Sequence, residues 1–508
     1  MEENSIMKKR GLCLILASLM LLTSVACSET KDNSDNKTDE TTGAVSADTT
    51  TESTETEEQL SDYDKRQLIP DNLPDVKYNG QEFRALTPKL NRSVDYRLEI
   101  VADELTGDAC NDAVYNRNLD VENRFDVKIS ATDMDSPQNQ VKTMATAGTN
   151  DYEIVSIYDY TAYVPISAKA VLNWKEIPNV DTTQVWFNQK ANDNATINNR
   201  LYAICSDLST TSLTLTYSTF FNVEIMNNYG YSSSDLYSLV KEGKWTFDKF
   251  SEIVSGIYED KNGNGVKDKD DFFGYGYFIE NAGDVWMAAF DAPIVSVSDE
   301  DIQVTIMNDK SIAILDKLTD FHTNNPGFFR YTTTAQEEEN HFRNGLLAMA
   351  PMRFVSAYTT LRDMEAQYSI IPYPKWDEAQ ENYYTNADDK FSVFVIPLSA
   401  YGNAEFIGTI FSALSAESYK KVYPEYYDTA LKGKYSSEAE TAEMVDIIVA
   451  GRNFDFSFQF GETYFVRMPY LIRDMLQNNK TNLSSEYKAK EKVVKKSIDS
   501  KLKPLYFD

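Results

Sequence analysis

"GKWTFDKFSEIVSGIYEDKNGNG", residues 243–265, contains the clearest helix start in the chain. Thr246 can accept a hydrogen bond as the N-cap, and Asp248 lies in the first turn, where the helix dipole favours a carboxylate. Trp245 and Phe250 are spaced as a hydrophobic staple across the same turn. The pattern predicts a helix after Thr246 and a packing role for Trp245, with stacking of its ring on a ligand as the alternative.

Segments that read as strands and helices alternate around this helix without an internal repeat, which is typical of an α/β protein. Residues 81–88 and 152–160 read as strands. Between them, residues 107–125 place apolar side chains near one helical face, with Asp108 as N-cap, so a βαβ unit is predicted. Further strands are predicted in four apolar runs, residues 201–208, 346–352, 368–374 and 391–398. The end of the chain reads as mainly helical.

The composition is that of a large, acidic, globular protein. Of 508 residues, 42% are hydrophobic, which is enough for an extensive core and two lobes or domains. The net charge of -30 opposes contact with nucleic acid or anionic lipid headgroups, because their phosphates would be repelled. A neutral or cationic solute is therefore the expected partner.

The amino terminus has the features of an export signal. Lys8, Lys9 and Arg10 precede an apolar run that is too short to span a bilayer and that ends in small residues before Cys27. The segment resembles the lipobox of bacterial lipoproteins, in which this cysteine is lipidated and becomes the first residue of the mature protein. Residues 1–27 are predicted to be a signal peptide with a lipobox, and cleavage without lipidation is the alternative.

Residues 28–65 are dominated by Ser, Thr, Asp and Glu, a composition that cannot form a core. They are predicted to be a disordered tether between the lipid anchor and the folded part. The folded part then retains two cysteines, Cys110 and Cys205. Export permits a disulfide between them, but each also fits a buried position, on a helix and on a strand respectively, so both alternatives stay open.

Several segments, taken in order, resemble extracellular solute-binding proteins of the family 1, sugar-binding type. "FFNVEIMNNYGY" at 220–231 and the stretch at 243–265 resemble the entry to the family's second lobe. "HFRNGLLAMAPM" at 341–352, "YSIIPYPKWDEAQENYY" at 368–384 and "FSVFVIPL" at 391–398 resemble its returning strands.

This resemblance implies a bilobal fold of the periplasmic-binding-protein type, with two α/β lobes that close on a ligand at a hinge. Lobe 1 is predicted in residues 76–208 plus 350–412, and lobe 2 in residues 215–348 plus 413–508. The resemblance also implies a monomer, anchored on the extracytoplasmic face of the membrane, that delivers a carbohydrate to the permease subunits of an ABC importer. The tether would keep it close to those subunits.

Candidate ligand-binding residues follow from the rule that ligands bind beyond the carboxyl ends of the strands in open α/β sheets. Aromatic rings suit the C–H faces of sugars, and carboxylates or guanidinium groups suit their hydroxyls. The candidates are Tyr158, Asp159, Tyr160, Ser206, Asp207, Asp284, Trp286 and Arg353. For each of them the alternative is a packing or ion-pairing role inside the protein.

"DKNGNGVKDKDD", residues 260–271, has the ligand spacing of an EF-hand-type calcium loop. The predicted oxygen ligands are Asp260, Asn262, Asn264, Val266 through its carbonyl, Asp268 through water, and Asp271. Gly265 provides the sharp turn. All ligands come from one loop, so a structural calcium ion of weak affinity is predicted, and an Asn-Gly turn without metal is the alternative.

The sequence favours a binding protein over an enzyme. It contains two histidines and no nucleophile-elbow, zinc-protease or phosphate-loop motif. A surface glycan hydrolase that uses paired carboxylates remains an alternative, because 79 Asp and Glu residues make any pair uninformative. A peptide-binding component of an importer is a second alternative.

Overall fold

The computed structural model describes residues 61–91, 94–427 and 439–507. The predicted signal peptide and Cys27 lie outside these residues, as does most of the predicted tether. The last residues of the predicted tether, 62–65, lie in a helix that begins at Asp62. Ser61 caps this helix by accepting from the Asp64 N–H, and Gln67 anchors it by donating to the Lys420 carbonyl at 3.0 Å.

The described residues contain fourteen strands and eighteen α-helices. The strands are β1 Gln81–Pro88, β2 Val127–Met134, β3 Ile154–Tyr158, β4 Tyr217–Asn222, β5 Tyr258–Glu259, β6 Phe272–Phe278, β7 Val295–Val297, β8 Ile302–Val304, β9 Phe328–Tyr331, β10 Leu347–Arg353, β11 Tyr368–Ile371, β12 Thr385–Asn386, β13 Ser392–Val395 and β14 Arg452–Asn453. The helices are Asp62–Gln67, Ala109–Phe125, Pro137–Ala147, Tyr163–Ser167, Gln189–Ala195, Thr211–Thr214, Val223–Asn228, Ser233–Lys241, Phe247–Ser255, Ile279–Ala282, Val285–Ala289, Asp309–Asn324, Ala335–Arg343, Ala404–Glu417, Ala439–Ala450, Leu471–Gln477, Leu483–Ser497 and Lys503–Tyr506.

The helix start at Thr246 is confirmed. The Thr246 side chain accepts from the Lys249 N–H, and the Trp245 and Phe250 rings meet edge to face with centroids 5.8 Å apart. The Trp245 ring is fully buried, and its indole N–H donates to the Pro372 carbonyl at 2.9 Å. Trp245 is therefore a packing residue.

The first sheet has the strand order β13-β3-β1-β2, with β1 parallel to β2 and β3. The predicted βαβ unit is present, and Asp108 caps its helix by accepting from the Asn111 N–H. The sequence did not predict strand β2, which directly follows this helix. Of its side chains only those of Val127 and Ile129 are buried, so it lacks the continuous apolar run that predicted most of the other strands.

The second sheet has the order β11-β4-β10-β6-β5, and β9 also pairs with β6. Two short parallel strands, β12 and β14, lie next to each other outside both sheets. The strand predicted over residues 201–208 is wrong. Asn192 occupies backbone groups there, because its side chain both accepts from the Cys205 N–H and donates to the Cys205 carbonyl. Only isolated bridges form in this segment, as between Ile204 and Phe394.

Strand pairing bears on the predicted division into lobes. Residues 350–412 are predicted to belong to lobe 1, but β10 and β11 pair with β4 in the second sheet. The strand that returns to the first sheet is β13, which pairs with β3. Helix Ala404–Glu417 then packs on helix Ala109–Phe125. The lobe boundaries stay a prediction, with the return to lobe 1 moved to the segment between Ile371 and Ser392.

Cys110 and Cys205 are both free thiols, so the disulfide alternative is not realised. Burial raises the pKa of each thiol to about 12, which keeps both protonated at neutral pH.

Candidate ligand-binding site between the two sheets

A cavity lies where the ends of strands from both sheets meet the segments that connect them. Asp159 follows β3 of the first sheet, and Asp284 lies beyond β6 of the second sheet. Asp388 and Asp389 come from the segment between β12 and β13, and Asp455 follows β14. We call this cavity the acidic pocket. The remaining lining residues are Tyr217, Val285, Asn386, Ala387, Phe391, Asn453, Phe454 and Phe458.

The acidic pocket is small, with a volume of about 30 Å³, but a larger groove adjoins it. This groove has a volume of about 380 Å³ and shares Asn453 and Asp455 with the pocket. Its walls come from helix Gln189–Ala195 on one side and from the segment 288–297 on the other. A volume of several hundred Å³ is typical of sites that take small molecules.

Asp159 is held in place from two directions. Its backbone N–H donates to the Phe391 carbonyl at 3.0 Å, and its carboxylate accepts from Gln459 Nε2 at 2.7 Å. Burial raises the pKa of Asp159 to about 8, since removal from water penalises the charged form. The carboxyl can therefore change charge near neutral pH.

Asp389 and Asp455 share this environment. Burial, together with the neighbouring Asp388, raises the pKa of Asp389 to about 7. The Tyr470 hydroxyl donates to Asp389 at 3.3 Å. Burial also raises the pKa of Asp455, although the Ser457 N–H donates to its carboxylate at 2.8 Å. The pocket thus concentrates carboxyl groups that water does not fully solvate.

Two arginines form ion pairs with pocket carboxylates. Arg473 Nη1 lies 2.6 Å from Asp284 Oδ2, and both side chains are 9% exposed. Arg353 Nη1 lies 3.2 Å from Asp388 Oδ2, and its Nη2 lies 3.9 Å from Glu339 Oε1. Despite Arg473, burial holds the pKa of Asp284 well above its usual value.

The structure brings together three of the predicted site residues. Asp159 and Asp284 line the pocket, and Arg353 reaches it through Asp388. Tyr158 and Tyr160 flank Asp159 in the chain, and their rings stack with centroids 5.8 Å apart. Both rings are partly buried, and the Tyr160 N–H donates to the Asp389 carbonyl at 3.1 Å.

Three other candidates occupy different surroundings. Ser206 is buried, and its hydroxyl bonds to that of Ser415 at 2.9 Å. Asp207 is partly exposed by surface area, yet burial of its carboxyl raises the pKa to about 7. Neither residue lines the acidic pocket. The Trp286 ring is fully buried, so the structure places it in the core instead of at a ligand surface.

Sequence reasoning missed the residues that come from the connecting segments. Asn386 ends β12, and Asp388 and Asp389 lie directly beyond it, but this strand has only two residues and no apolar run by which the sequence could predict it. Arg473 lies in the first turn of helix Leu471–Gln477, far along the chain from the other pocket residues. The run "NADDKF" at 386–391, with two adjacent acids directly before an apolar strand, is the pattern that would have drawn attention to this segment.

The loop at residues 260–271 is closed by its own hydrogen bonds. Both oxygens of Asp260 accept backbone N–H groups, from Gly263 at 2.7 Å and Gly265 at 2.8 Å. Asp268 accepts from the Asn264 amide at 2.8 Å. The Asp271 carboxylate is buried, and it accepts from the N–H groups of Lys261 and Asp268. Within the part of the chain that the structure describes, no group of three Asp, Glu, His or Cys side chains is arranged to hold a metal.

The buried Asp159 predicts how stability depends on pH. Because its folded-state pKa lies near 8 and its usual value near 3.8, the folded chain keeps a proton that the unfolded chain releases between these values. Stability should therefore fall as the pH rises through this window. The Asp159→Asn side chain can still accept a hydrogen bond from Gln459 but does not titrate. As the pH rises, we expect its free energy of unfolding to increase relative to that of the wild type by up to about 1.4 kcal/mol per pH unit. Urea unfolding of both proteins at several pH values between 5 and 8 measures this difference in the free energy of unfolding. A difference that does not change with pH would contradict a buried protonated carboxyl at Asp159.

The fold of this chain is similar to that of several solved sugar-binding proteins. No family model and no curated protein matches the chain. Among solved structures, a cyclo/maltodextrin-binding protein complexed with maltotetraose is similar with a TM-score of 0.55 and 12% identity, over 83% of this chain and 98% of that one. Maltose-bound MalE3 of T. maritima follows with a TM-score of 0.49 and 11% identity, over 82% and 99%. An ABC substrate-binding protein from Listeria monocytogenes in complex with cycloalternan has a TM-score of 0.48 and 14% identity, over 84% and 100%.

The architecture is therefore the predicted one, a bilobal α/β fold of the periplasmic-binding-protein type. Throughout the residues that are described, helices are too short or too polar to cross a membrane.

Proposed function

We propose that this protein is a lipid-anchored substrate-binding protein that captures a sugar or oligosaccharide outside the cell and delivers it to an ABC importer. The observation that carries the proposal is the acidic pocket with its adjoining groove, which is built from both sheets and the segments between them. A ligand held there would contact both halves of the fold at once, as capture between two lobes requires. The similarity to a maltodextrin-binding protein supports a carbohydrate as the ligand.

The chemistry of the site agrees with a polyol ligand. Carboxylates and amides such as Asp389 and Asn386 can accept hydrogen bonds from hydroxyls, and Phe454 and Phe458 offer apolar surface for C–H groups. The proposal also includes a lipid anchor at Cys27, an acidic tether, permease subunits as partners and a monomeric state. They rest on the sequence.

The proposal is tested by thermal unfolding in the presence of a panel of neutral mono- and oligosaccharides, amino sugars and a peptide pool. A ligand that binds only the folded state raises the melting temperature. At a ligand concentration of 100 times its Kd, the free energy of unfolding increases by about 2.7 kcal/mol. We expect a saccharide to raise it and to be recovered unchanged by chromatography. Cleaved saccharide would show a hydrolase, and stabilisation by peptides alone would show a peptide importer.

We further propose that the loop at residues 260–271 binds calcium as a structural ion, through Asp260, Asn262, Asn264, Val266, Asp268 and Asp271. The Asn and Asp side chains already turn into the loop, as their hydrogen bonds to Asp268 and to the loop backbone show. A bound Ca²⁺ ion would replace these hydrogen-bond donors as the partner of the loop oxygens. The function of the pocket does not depend on it.

Calcium should stabilise the wild type only weakly. With a Kd of about 10⁻³ M, typical of extracellular calcium loops, about 10 mM calcium would add roughly 1.4 kcal/mol. We expect Asp260→Asn to abolish this gain and the exposed Asp363→Asn to preserve it. Thermal unfolding with calcium or with a chelator is the measurement. Equal melting temperatures of the wild type in both would show that the loop is a turn without metal.

A further inference from the structure

We propose that the saccharide taken by this protein carries a protonated amine, and that the amine binds in the acidic pocket against Asp284 and Asn386. This inference rests on the proposed function and narrows it from sugars in general to basic amino sugars. It depends on three properties of the pocket: its charge, its unsatisfied acceptors and the burial of its carboxyls.

The pocket contains more acidic than basic groups. Five carboxyl side chains line it, and its described lining contains no Lys, Arg or His side chain. The two nearby guanidinium groups are already engaged, Arg473 with Asp284 and Arg353 with Asp388 and Glu339. A bound group with positive charge would favour the ionised forms of the three remaining carboxyls, Asp159, Asp389 and Asp455, whose pKa values are raised by burial.

Two buried acceptor atoms in the pocket have no hydrogen-bond donor among the described residues. Asn386 is 7% exposed, and its side-chain oxygen meets no donor among the described residues. Asp284 is 9% exposed, and its Oδ1 likewise has no donor there, while its Oδ2 accepts from Arg473. A buried acceptor without a hydrogen-bond partner is unfavourable, so a ligand that donates to both oxygens would gain affinity.

An ammonium group fits these requirements better than a hydroxyl. It has three donors and no acceptor, so it can bond to both oxygens without presenting a lone pair to the surrounding carboxylates. It also carries a positive charge, which a hydroxyl does not. Burial raises the pKa of Asp159 despite the hydrogen bond from Gln459, and that of Asp389 despite the nearby Lys390 and Arg473, so a bound cation would favour the ionised form of both carboxyls. The same reasoning excludes uronic acids and sugar phosphates, which would add negative charge.

The first test uses the unmodified full-length chain and changes only the ligand. Isothermal titration at pH 6 compares the glucosamine trimer, its fully N-acetylated counterpart, maltotriose and trigalacturonate. We expect the amine-bearing trimer to bind about 10- to 100-fold more tightly than the N-acetylated or neutral trimer, the range of one charge-assisted hydrogen bond. Trigalacturonate should not bind.

The second test changes the pocket. We expect Asn386→Leu to weaken binding of the glucosamine trimer about tenfold or more and to leave little preference over maltotriose. The exposed Asp363→Asn is the control and should bind as the wild type does. Should Asn386→Leu fail to fold, Asp389→Asn keeps the shape of its side chain and removes a carboxyl that a bound ammonium would ionise, so the same loss is expected.

The outcomes separate the two proposals. Equal affinity for the amine-bearing, N-acetylated and neutral trimers overturns the amine inference and leaves the sugar-binding function in place. So does tighter binding of trigalacturonate. If no saccharide of any class binds, both proposals are overturned. If Asn386→Leu and Asp389→Asn both still bind the glucosamine trimer more tightly than maltotriose, by the same factor as the wild type, the amine does not bind in this pocket and the inference is overturned.

Discussion

Replacing Arg473 by Met is expected to lower the free energy of unfolding by about 3–5 kcal/mol, the typical effect of removing one member of a buried ion pair. The change removes the only described donor to the Asp284 carboxylate, whose other oxygen already has none. With its pKa already raised by burial, Asp284 would then have to take up a proton or remain charged and unpaired. Urea unfolding at pH 7 measures the loss.

Arg467 provides a matched control from the same segment. Its side chain is 39% exposed and pairs with Glu462 and with Asp474, the latter at 2.9 Å. Because water screens this pair, Arg467→Met should cost no more than about 1 kcal/mol. Equal losses in the two variants would mean that the Arg473–Asp284 pair is solvated, and they would remove the electrostatic argument for the acidic pocket.

Trp286→Ala is expected to cost about 3–5 kcal/mol, because it deletes a fully buried aromatic side chain from a dense aromatic cluster. The Trp286 ring meets the rings of Phe247, Phe290 and Tyr373 at centroid distances of 5.3, 5.4 and 5.1 Å. Its indole N–H donates to the Tyr277 hydroxyl at 3.1 Å. The loss should appear in urea unfolding.

Binding distinguishes this structural role from the ligand-binding role predicted from the sequence. If Trp286 packs in the core, the folded fraction of Trp286→Ala should bind saccharide with an affinity close to that of the wild type. The partly buried Trp376, which contacts Lys317 and Phe290, is the control, and Trp376→Ala should cost about 1 kcal/mol. A stable Trp286→Ala that no longer binds ligand would return Trp286 to the site.

The sequence predicted those features that short stretches determine. Thr246 and Asp108 were recognised as caps because a cap depends on residues within one helical turn. The α/β class and the candidates Asp159 and Asp284 followed from apolar runs and from what stands after them. In each case the necessary information lies within about ten residues of chain, on the scale of single helices and strands.

What the sequence did not predict depends on contacts between distant segments. Trp286 and Asp284 are two residues apart, yet the helix that begins at Val285 turns the ring into the core while the carboxylate faces the pocket. Arg473 meets Asp284 across 189 residues of chain. Asp389 contacts the distant residues Tyr160 and Tyr470, and no short stretch of sequence shows that these residues meet.

The central claim is that a saccharide binds between the two sheets and contacts both of them. Amide hydrogen exchange, with and without the saccharide that stabilises the protein most, tests it directly. We predict increased protection at residues 158–161, 284–289 and 386–391 together, one segment from each half and one from the connection. Protection confined to the segments of one sheet, or no change in any of the three, would contradict the claim.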